Sequence, residues 1–414
     1  MDRHVAITGA GLISPLGDSP RVVFEALCKG TSGIRQQFEP FGVDGYGCGC
    51  HLAAQLHDFR SEKYLLGRPL RPLDRISQVA TAACGLALKS SEWNAESRAA
   101  TDLSLVLGTM FGGMHTIGEF DRTAIVSGPA SVSPMAFANT VINAAAGQTA
   151  IWHNLRGANS TVATGSISGI SAVGHAADLI LHGRSAVVLA GGADEFSVES
   201  FWGFARAGLL CTDGHRAELP IPFDERRNGF AIGEGAGVLV MEELAQANRR
   251  GATAFAEVRG YASAFDPSQG KDLNQAVSAA VRAMRTAIHR SGMGVGDIDF
   301  VSASANGSIA QDCYELSALA QTFGERVREL PVTAIKCGTG ETLGASGPLQ
   351  IAVAIETLES GKLPGIIGLE KLPPGCPLQG VLAQTRPINA HRAALINGVG
   401  LEGNYCSLVI ATLE

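Results

Sequence analysis

Two hydrophobic periodicities follow one another along this chain. Short apolar, β-branched runs alternate with longer segments in which apolar residues recur at helical spacing. The short runs predict strands at Val5–Thr8, Ser104–Gly108, Val187–Gly191, Gly237–Met241, Phe255–Val258, Phe300–Ala303 and Leu408–Ala411. The longer segments predict helices at Val22–Cys28, Ser77–Leu88, Gly169–Leu181, Leu244–Arg250, Asn274–Arg290, Asp312–Phe323 and Gly344–Ser360. Strand and helix alternate in both halves without a linker or low-complexity tract, which predicts a large α/β protein.

One strand-turn-helix carries candidate chemistry, the segment Ser160–Leu181 that reads STVATGSISGISAVGHAADLIL. Thr161–Ala163 predict a short strand, Gly165 permits a sharp reversal, and the helix follows. This turn presents Ser166 above a sheet and near a helix N-terminus. The unpaired N–H groups there can stabilise a developing oxyanion or a bound carbonyl, so Ser166 stands where a nucleophile would be placed.

Composition and charge narrow the class of protein. A chain of 414 residues with 46% hydrophobic content can bury a substantial core, and 51 glycines with only 6% aromatic residues suit many tight turns in a layered α/β protein. The formal charge is −7 without a basic run, so no nucleic-acid partner is predicted. No apolar stretch approaches ~20 residues, and the first strand begins a few residues after Met1, so we expect neither a membrane span nor a signal sequence but a cytoplasmic protein.

Cysteine usage predicts free thiols in a reducing compartment, because nine cysteines are scattered along the chain. One cluster, Cys48, Cys50 and His51, consists of residue types that bind metal ions, so a metal site is one hypothesis. No second ligand pair follows at a suitable spacing, so a loop or edge strand is the favoured interpretation. We predict no metal and no cofactor.

Four further segments, together with the turn at Ser166, resemble the β-ketoacyl synthases, the condensing enzymes of fatty acid and polyketide assembly. They are His4–Gly17 (HVAITGAGLISPLG), Ser133–Gly147 (SPMAFANTVINAAAG), Pro222–Gly237 (PFDERRNGFAIGEGAG) and Asn397–Asn404 (NGVGLEGN). They occur in family order over practically the whole length. The resemblance implies a thiolase-like fold of two pseudo-repeated halves in an αβαβα layering. We place the halves at residues 1–250 and 251–414, because Gly251 follows a helix end at Arg249-Arg250.

The family's chemistry needs a cysteine on the turn and two histidines later in the chain. Alignment on neighbouring family residues places Ser166 at the cysteine, Ser304 at the first histidine and Glu341 at the second. The family's buried charged network is retained as Lys336, Asp312 and Glu315. We interpret this network as structural, because a buried lysine must be paired whether or not chemistry takes place.

These replacements predict that condensation is lost. A serine hydroxyl ionises far above neutrality and needs an adjacent base, whereas a cysteine thiolate forms near neutral pH. We expect a carboxylate at Glu341 to repel a developing enolate. Glu402 adds to the effect, because the family's Gly-Phe-Gly-Gly loop reads Gly400-Leu401-Glu402-Gly403 here, beside an N–H expected to complete the oxyanion hole.

Two functions remain open. The first is a catalytically silent subunit like the chain length factor of type II polyketide synthases, which pairs as a heterodimer with an active ketosynthase whose substrate is carried by an acyl carrier protein. Chain length factors commonly have glutamine at the turn, and Ser166 departs from that pattern. The second is a serine-dependent acyltransferase or decarboxylase that uses Ser166, with Glu341 as a distant base and Ser304 as relay.

The resemblance also implies where an acyl tunnel would lie. Its candidate lining residues are Phe111, Met114, Ile117, Met135 and Leu401. Ordinary core packing is the alternative, since apolar residues at helical spacing are usually core. Arg226 and Arg227 are candidates for docking the acidic carrier protein, with a solvated salt-bridging pair as the alternative.

Overall fold

The structure is a computed structural model that describes residues 3–36, 49–212, 219–380, 384–388 and 392–413. The strands are β1 (Val5–Ile13), β2 (Arg35–Gln36), β3 (Leu52–Ala54), β4 (Ser104–Gly108), β5 (Asn159–Val162), β6 (Val187–Asp194), β7 (Ile232–Gly233), β8 (Gly235–Glu243), β9 (Ala256–Phe265), β10 (Phe300–Ser302), β11 (Val332–Thr333), β12 (Lys362–Leu363), β13 (Arg386–Pro387), β14 (Ala393–Val399) and β15 (Asn404–Ala411). The α-helices are α1 (Pro20–Cys28), α2 (Arg75–Ser90), α3 (Ala95–Ala100), α4 (Met114–Ser127), α5 (Pro134–Phe137), α6 (Ala144–His153), α7 (Ser168–Leu181), α8 (Val198–Arg206), α9 (Leu244–Arg249), α10 (Leu273–Arg290), α11 (Ile309–Phe323), α12 (Lys336–Thr339) and α13 (Ser346–Ser360).

Ten strands form one sheet in the order β11-β10-β14-β15-β9-β1-β8-β6-β4-β5. From β1 outward, β8 and β6 follow in antiparallel pairs and β4 and β5 in parallel pairs. From β9 outward, β15 and β14 are antiparallel and β10 and β11 are parallel. The two halves therefore share strand order and direction, and they meet where β1 pairs with β9. This confirms the pseudo-repeat, while the boundary after residue 250 stays a prediction.

Helices cover the two half-sheets in three layers. On one outside face α2 packs against β1, β8 and α6, and on the other α10 packs against β9, β15 and α11. Between them α7 and α13 contact each other and strands of both halves. Three large clusters of buried apolar side chains fill the spaces between these layers. This arrangement confirms the αβαβα layering expected of a thiolase-like fold.

Each predicted strand and helix is present. The largest boundary difference lies in β9, which continues to Phe265 where the sequence predicted an end at Val258, and the next largest lies in the first strand. β1 continues to Ile13, whereas the sequence predicted an end at Thr8. The added segment contains Gly9 and Gly11, and a Cβ at Gly11 would lie 2.1 Å from the carbonyl oxygen of Ala83 in α2. Glycine continues this strand because the helix packs directly on its backbone, a tertiary reason that strand propensity does not express.

The described helices include none with the length and apolar character that a membrane crossing requires.

Candidate functional site

The turn at Ser166 is built as the sequence predicts. After β5 the chain reverses at Gly165, whose φ of +71° is readily adopted by glycine, and a 3₁₀ turn spanning Gly165–Ile167 leads into α7. The Ser168 hydroxyl closes the turn by accepting the Thr164 N–H at 2.9 Å and donating to the Gly165 carbonyl. Ser166 is 5% exposed, so it lies buried at the start of the helix.

Lys336 and Glu341 form a buried ion pair beside this turn. The Lys336 Nζ lies 2.7 Å from Glu341 Oε2, and both side chains are buried. The same ammonium group donates to Ser304 Oγ at 3.2 Å. Glu341 therefore adds no net charge to the site, since Lys336 balances it. The expectation that Glu341 repels a developing enolate through an unbalanced charge is revised accordingly.

Three further donors hold the Glu341 carboxylate. Asn306 Nδ2 donates to Oε2 at 2.8 Å, while Oε1 accepts the Ser346 hydroxyl at 2.7 Å and the Leu343 N–H at 3.1 Å. Together with Lys336 they occupy the acceptor positions that a carboxylate offers. Glu341 is thus an anion held in place by hydrogen bonds, and it has no free lone pair with which to act as the base for Ser166.

Ser304 is held as a hydrogen-bond donor. Its hydroxyl oxygen accepts from Lys336 Nζ and from the Val399 N–H at 2.9 Å, which uses both lone pairs. Its own proton therefore remains for donation. The relay role in the serine-nucleophile hypothesis would require this oxygen to accept a proton from Ser166, and the two bonds already present oppose that.

Glu315 anchors the backbone of Ser304. Its Oε1 accepts the Ser304 N–H at 3.0 Å and Asn397 Nδ2 at 2.9 Å, whereas Oε2 is buried and has no partner among the residues that the structure describes. Burial raises the pKa of Glu315 to about 7. A protonated carboxyl suits this geometry, since one oxygen accepts two bonds and the other has no donor facing it.

Asp312 fastens the next turn of the same loop. Its carboxylate accepts the N–H groups of Phe223 at 2.8 Å and Asn306 at 3.1 Å, with Arg227 Nε at 3.8 Å. Burial raises its pKa to about 6. The charged network of Lys336, Asp312 and Glu315 thus holds backbone and side chains in place, which agrees with its structural interpretation.

We predict that Glu315→Gln reduces the loss of stability between about pH 4.5 and pH 7. The folded-state pKa of about 7 exceeds the ordinary 4.5, so the folded chain holds a proton that the unfolded chain releases, and stability falls as pH rises through this window. Glutamine mimics the protonated form. Unfolding by denaturant across this window should show a slope smaller by about one proton. The exposed Glu325→Gln serves as control, and an unchanged slope in Glu315→Gln would contradict the prediction.

Glu402 lies in the turn between β14 and β15, directly over Gly165. A Cβ at Gly165 would lie 2.0 Å from Glu402 Oε2. Both carboxylate oxygens are buried, and neither has a hydrogen-bond partner among the described residues. Burial raises the pKa of Glu402, while its own N–H and that of Ser166 oppose this shift and the charge of Glu341 adds to it. Glu402 thus contacts the Ser166 turn directly at Gly165.

Sequence reasoning missed Asp194, the last residue of β6. Its carboxylate accepts four bonds, from the Thr109 hydroxyl at 2.8 Å and from the N–H groups of Met110, Phe111 and Gly344. Burial raises its pKa to about 6. Asp194 thereby ties the loop after β4 to the turn that precedes α13. A carboxylate that ends the otherwise apolar run VVLAGGAD was the available signal.

The five tunnel candidates separate into two places. Phe111 and Leu401 pack against one apolar cluster that includes Phe204 and Leu343, with the rings of Phe111 and Phe204 5.7 Å apart. Met135, by contrast, is 56% exposed on α5. Met114 and Ile117 lie on α4, which contains no fully buried residue. The cluster around Phe111 is adjacent to Glu341 through Leu343.

The two arginines proposed for carrier docking make internal contacts instead. Arg226 pairs with Asp224 at 2.7 Å and with Glu370 at 3.0 Å, and only 17% of its side chain is exposed. Arg227 donates to the Asp224 carbonyl and is still more deeply buried. The alternative of a solvated salt-bridging pair is wrong in one respect, since both side chains are largely buried. Both guanidinium groups hold loops together.

The cluster of Cys48, Cys50 and His51 is only partly described. Cys50 is buried, and Cys48 lies outside the described residues. The interpretation of that segment therefore stays a prediction.

Comparison with known proteins bears on the whole chain. Residues 2–247 match the model for the β-ketoacyl synthase N-terminal domain, and residues 255–370 match that for the β-ketoacyl synthase C-terminal domain. The chain is 30% identical over 410 residues to 3-oxoacyl-[acyl-carrier-protein] synthase 2 of Vibrio cholerae, covering 98% of both proteins, and 29% identical over 411 residues to the protein of that name from Coxiella burnetii, covering 99% of this chain and 98% of that protein.

Solved structures agree with this assignment. A chain of the ishigamide ketosynthase/chain length factor superposes with a TM-score of 0.91 at 28% identity, with both chains covered completely. A β-ketoacyl synthase from Burkholderia phymatum superposes with a TM-score of 0.89, also at 28% identity and with complete coverage of both chains. The fold, the turn at Ser166 and the matches along its length together show that this chain belongs to the β-ketoacyl synthase family.

Proposed function

We propose that this chain is a chain length factor-like subunit, which pairs with an active ketosynthase and shapes the tunnel for an acyl or polyketide chain carried on an acyl carrier protein. The observation that carries this proposal is the ion pair between Lys336 and Glu341, with Ser304 bonded to the same lysine. The family resemblance implies two histidines here that stabilise an enolate. In this chain Ser304 and Glu341 stand at those positions, and their hydrogen-bond acceptor positions are already occupied.

The nucleophile position supports the same conclusion. Acyl transfer from a thioester needs a nucleophile that is ionised or assisted by a base. Ser166 carries a hydroxyl, the Glu341 carboxylate is fully engaged by other donors, and among the described residues the Glu402 oxygens accept no hydrogen bond from that hydroxyl. The chain therefore needs a second subunit to supply the thiol and the histidines.

An exposed apolar surface offers the place for that subunit. The apolar patch consists of side chains that are 43–83% exposed on α4, on α5 and in the loop after α5, namely Ile125, Val126, Met135, Phe137, Val141 and Ile142. The Phe120 and Phe137 rings, 6.1 Å apart, join α4 to α5. Contiguous exposed apolar side chains usually mark an interaction surface. β5 is an edge strand of the large sheet, which leaves a second element open to a partner.

The patch is continuous with the tunnel candidates. A Cβ at Gly112 would lie 3.4 Å from Ile142 of the patch, and the neighbouring Phe111 packs against Phe204 inside the subunit. Phe111 thus lies between the apolar patch and the cluster beside Glu341. The similarity to a ketosynthase/chain length factor structure supports a partner that is itself an active ketosynthase.

A serine-dependent acyltransferase or decarboxylase is the second candidate. The observation that favours it is the carboxylate of Glu402, which contacts Gly165 beside Ser166 and whose oxygens have no partner in the described part of the chain. On this alternative Glu402, in place of Glu341, would be the base.

Co-expression separates the two functions. The chain is produced with an active ketosynthase and an acyl carrier protein, and the products of the wild type are compared with those of Ser166→Ala. We expect unchanged product formation and no acyl adduct on Ser166 by intact mass. Loss of product in Ser166→Ala, or an adduct on the serine, would overturn the silent-subunit proposal.

We further predict that Phe111→Ala lengthens the products of the complex. Removing the ring opens space between the apolar patch and the Phe204 cluster, into which a longer chain can extend. Mass spectrometry of the products measures the shift. Phe265→Ala, at a half-exposed site on β9, is the control and should leave chain length unchanged. An unaltered distribution in Phe111→Ala would remove this residue from the tunnel.

A further inference from the structure

The carboxylate of Glu402 occupies the space that an acyl group would need at the turn. It packs on Gly165, where a Cβ would meet Oε2 at 2.0 Å and Oε1 at 2.7 Å, and it lies 3.1 Å from a Cβ position at Gly400. Both of its oxygens are shielded from solvent. The side chain therefore fills the angle between the Ser166 turn and the loop that connects β14 with β15.

No cation among the described residues pairs with this carboxyl group. The nearby ammonium of Lys336 contacts Glu341 at 2.7 Å and Ser304 at 3.2 Å, and the Glu402 oxygens have no partner in the described part of the chain. The N–H of Ser166, at the start of the 14-residue α7, is where a tetrahedral intermediate would place its negative oxygen. A carboxyl group held there competes for that N–H, and in its ionised form it repels the intermediate.

We propose that Glu402 is a carboxylate gate that excludes acyl thioesters from the Ser166 turn of this subunit. The gate has a steric component, since the side chain fills the space, and an electrostatic component, since the ionised carboxylate opposes an anionic intermediate or nucleophile. This inference deepens the proposed function. One consequence is that acyl chains are loaded only on the partner's cysteine, and this consequence rests on the proposed function. The contact between Glu402 and Gly165 does not depend on that function.

The test places a reporter thiol at the turn of the full-length chain by Ser166→Cys. Its alkylation by iodoacetamide and its acylation by an octanoyl-N-acetylcysteamine thioester are followed by peptide mass spectrometry. Three backgrounds are compared: native Glu402, Glu402→Gln, which removes the charge and keeps the bulk, and Glu402→Gly, which removes both. The partly exposed native Cys376 provides an internal reference for each reagent.

We expect alkylation near pH 7 to be about tenfold faster in both Glu402 variants, because removing a neighbouring negative charge lowers a thiol pKa by about one unit and increases the thiolate fraction. We expect acylation by the bulkier thioester only in Glu402→Gly. Alkylation that is equal in all backgrounds, or slower in Glu402→Gln, overturns the gate, and the slower rate would identify Glu402 as a base. Glu325→Gln is the charge control and should change neither rate.

A stability measurement keeps the proposal testable if the thiol variant does not fold. Gly165→Ala is introduced with native Glu402 and with Glu402→Gly. The strain of alanine at a φ of +71° is common to both backgrounds and cancels in the double-mutant cycle. We expect a greater loss of stability with native Glu402. Additive effects would contradict the contact on which the gate depends.

These outcomes are distinct from the test of the proposed function. Thiol reactivity is measured on this chain alone, whereas the silent-subunit proposal depends on the products of the complex with Ser166 unchanged or replaced by alanine.

Discussion

Replacing Lys336 with methionine is expected to destabilise the chain by about 3 kcal/mol, because the Glu341 carboxylate then remains buried without its counter-charge. The pair is 2.7 Å apart, and both side chains are almost completely buried. Removing one member of such a pair typically costs about 3–5 kcal/mol. The lower end is expected here because Asn306, Ser346 and the Leu343 N–H still donate to the carboxylate.

Denaturant unfolding at neutral pH measures this effect. The matched control is Lys371→Met, since Lys371 pairs with Glu225 at 3.0 Å but 68% of its side chain is exposed. We expect a loss of less than about 1 kcal/mol there. The double variant Lys336→Met with Glu341→Gln should recover most of the stability, because neither member of the former pair is then charged. A double variant as unstable as the single one would contradict the ion-pair explanation.

The second large effect is expected for Gly169→Ala, which should cost about 3 kcal/mol through overpacking. A Cβ at this position would lie 2.1 Å from the Gly344 carbonyl oxygen and 2.5 Å from Pro348 Cδ. The Gly344 backbone cannot easily move away, since its N–H is held by Asp194 at 2.8 Å. The substitution therefore forces α7 away from the start of α13, beside the site.

Thermal or denaturant unfolding tests this prediction against a matched glycine. Gly203 lies within α8, and a Cβ there would meet nothing within 4 Å. Gly203→Ala should be neutral or stabilising by up to about 1 kcal/mol, as helix propensity predicts. If both alanine variants had the same stability, close packing at Gly169 would not be the cause.

Much of the fold was predictable from local patterns. β4 was predicted with its observed bounds and α7 within one residue, because a buried apolar run and a long apolar helix have strong local signals. The extension of β1 through its glycines was not predictable, because it depends on α2 packing against that backbone. The resemblance between the two halves became visible only in the strand order, since sheet pairing tolerates wide sequence change.

The site divides in the same way. The residue types at Ser166, Ser304 and Glu341 were read from the chain by family registration, and their chemistry already argued against condensation. The pairing of Glu341 with Lys336 was not predicted. The electrostatic effect of Glu341 on the site depends on this lysine, which lies 2.7 Å away and cancels the charge of the carboxylate. Asp194 was missed because its role consists of accepting backbone donors from two separate loops.

By itself the sequence determined the order of strands and helices, the family resemblance, and the presence of a hydroxyl and a carboxylate where the resemblance implies a thiol and an imidazole. Only the tertiary structure decided which of the two nearby glutamates is neutralised and which is not. Glu341 meets Lys336, whereas Glu402 is buried against Gly165 and its oxygens have no partner among the described residues. The physical reason is that the energy of a charge depends on its distance from other charges and on its burial, and folding sets both by joining segments far apart in the chain.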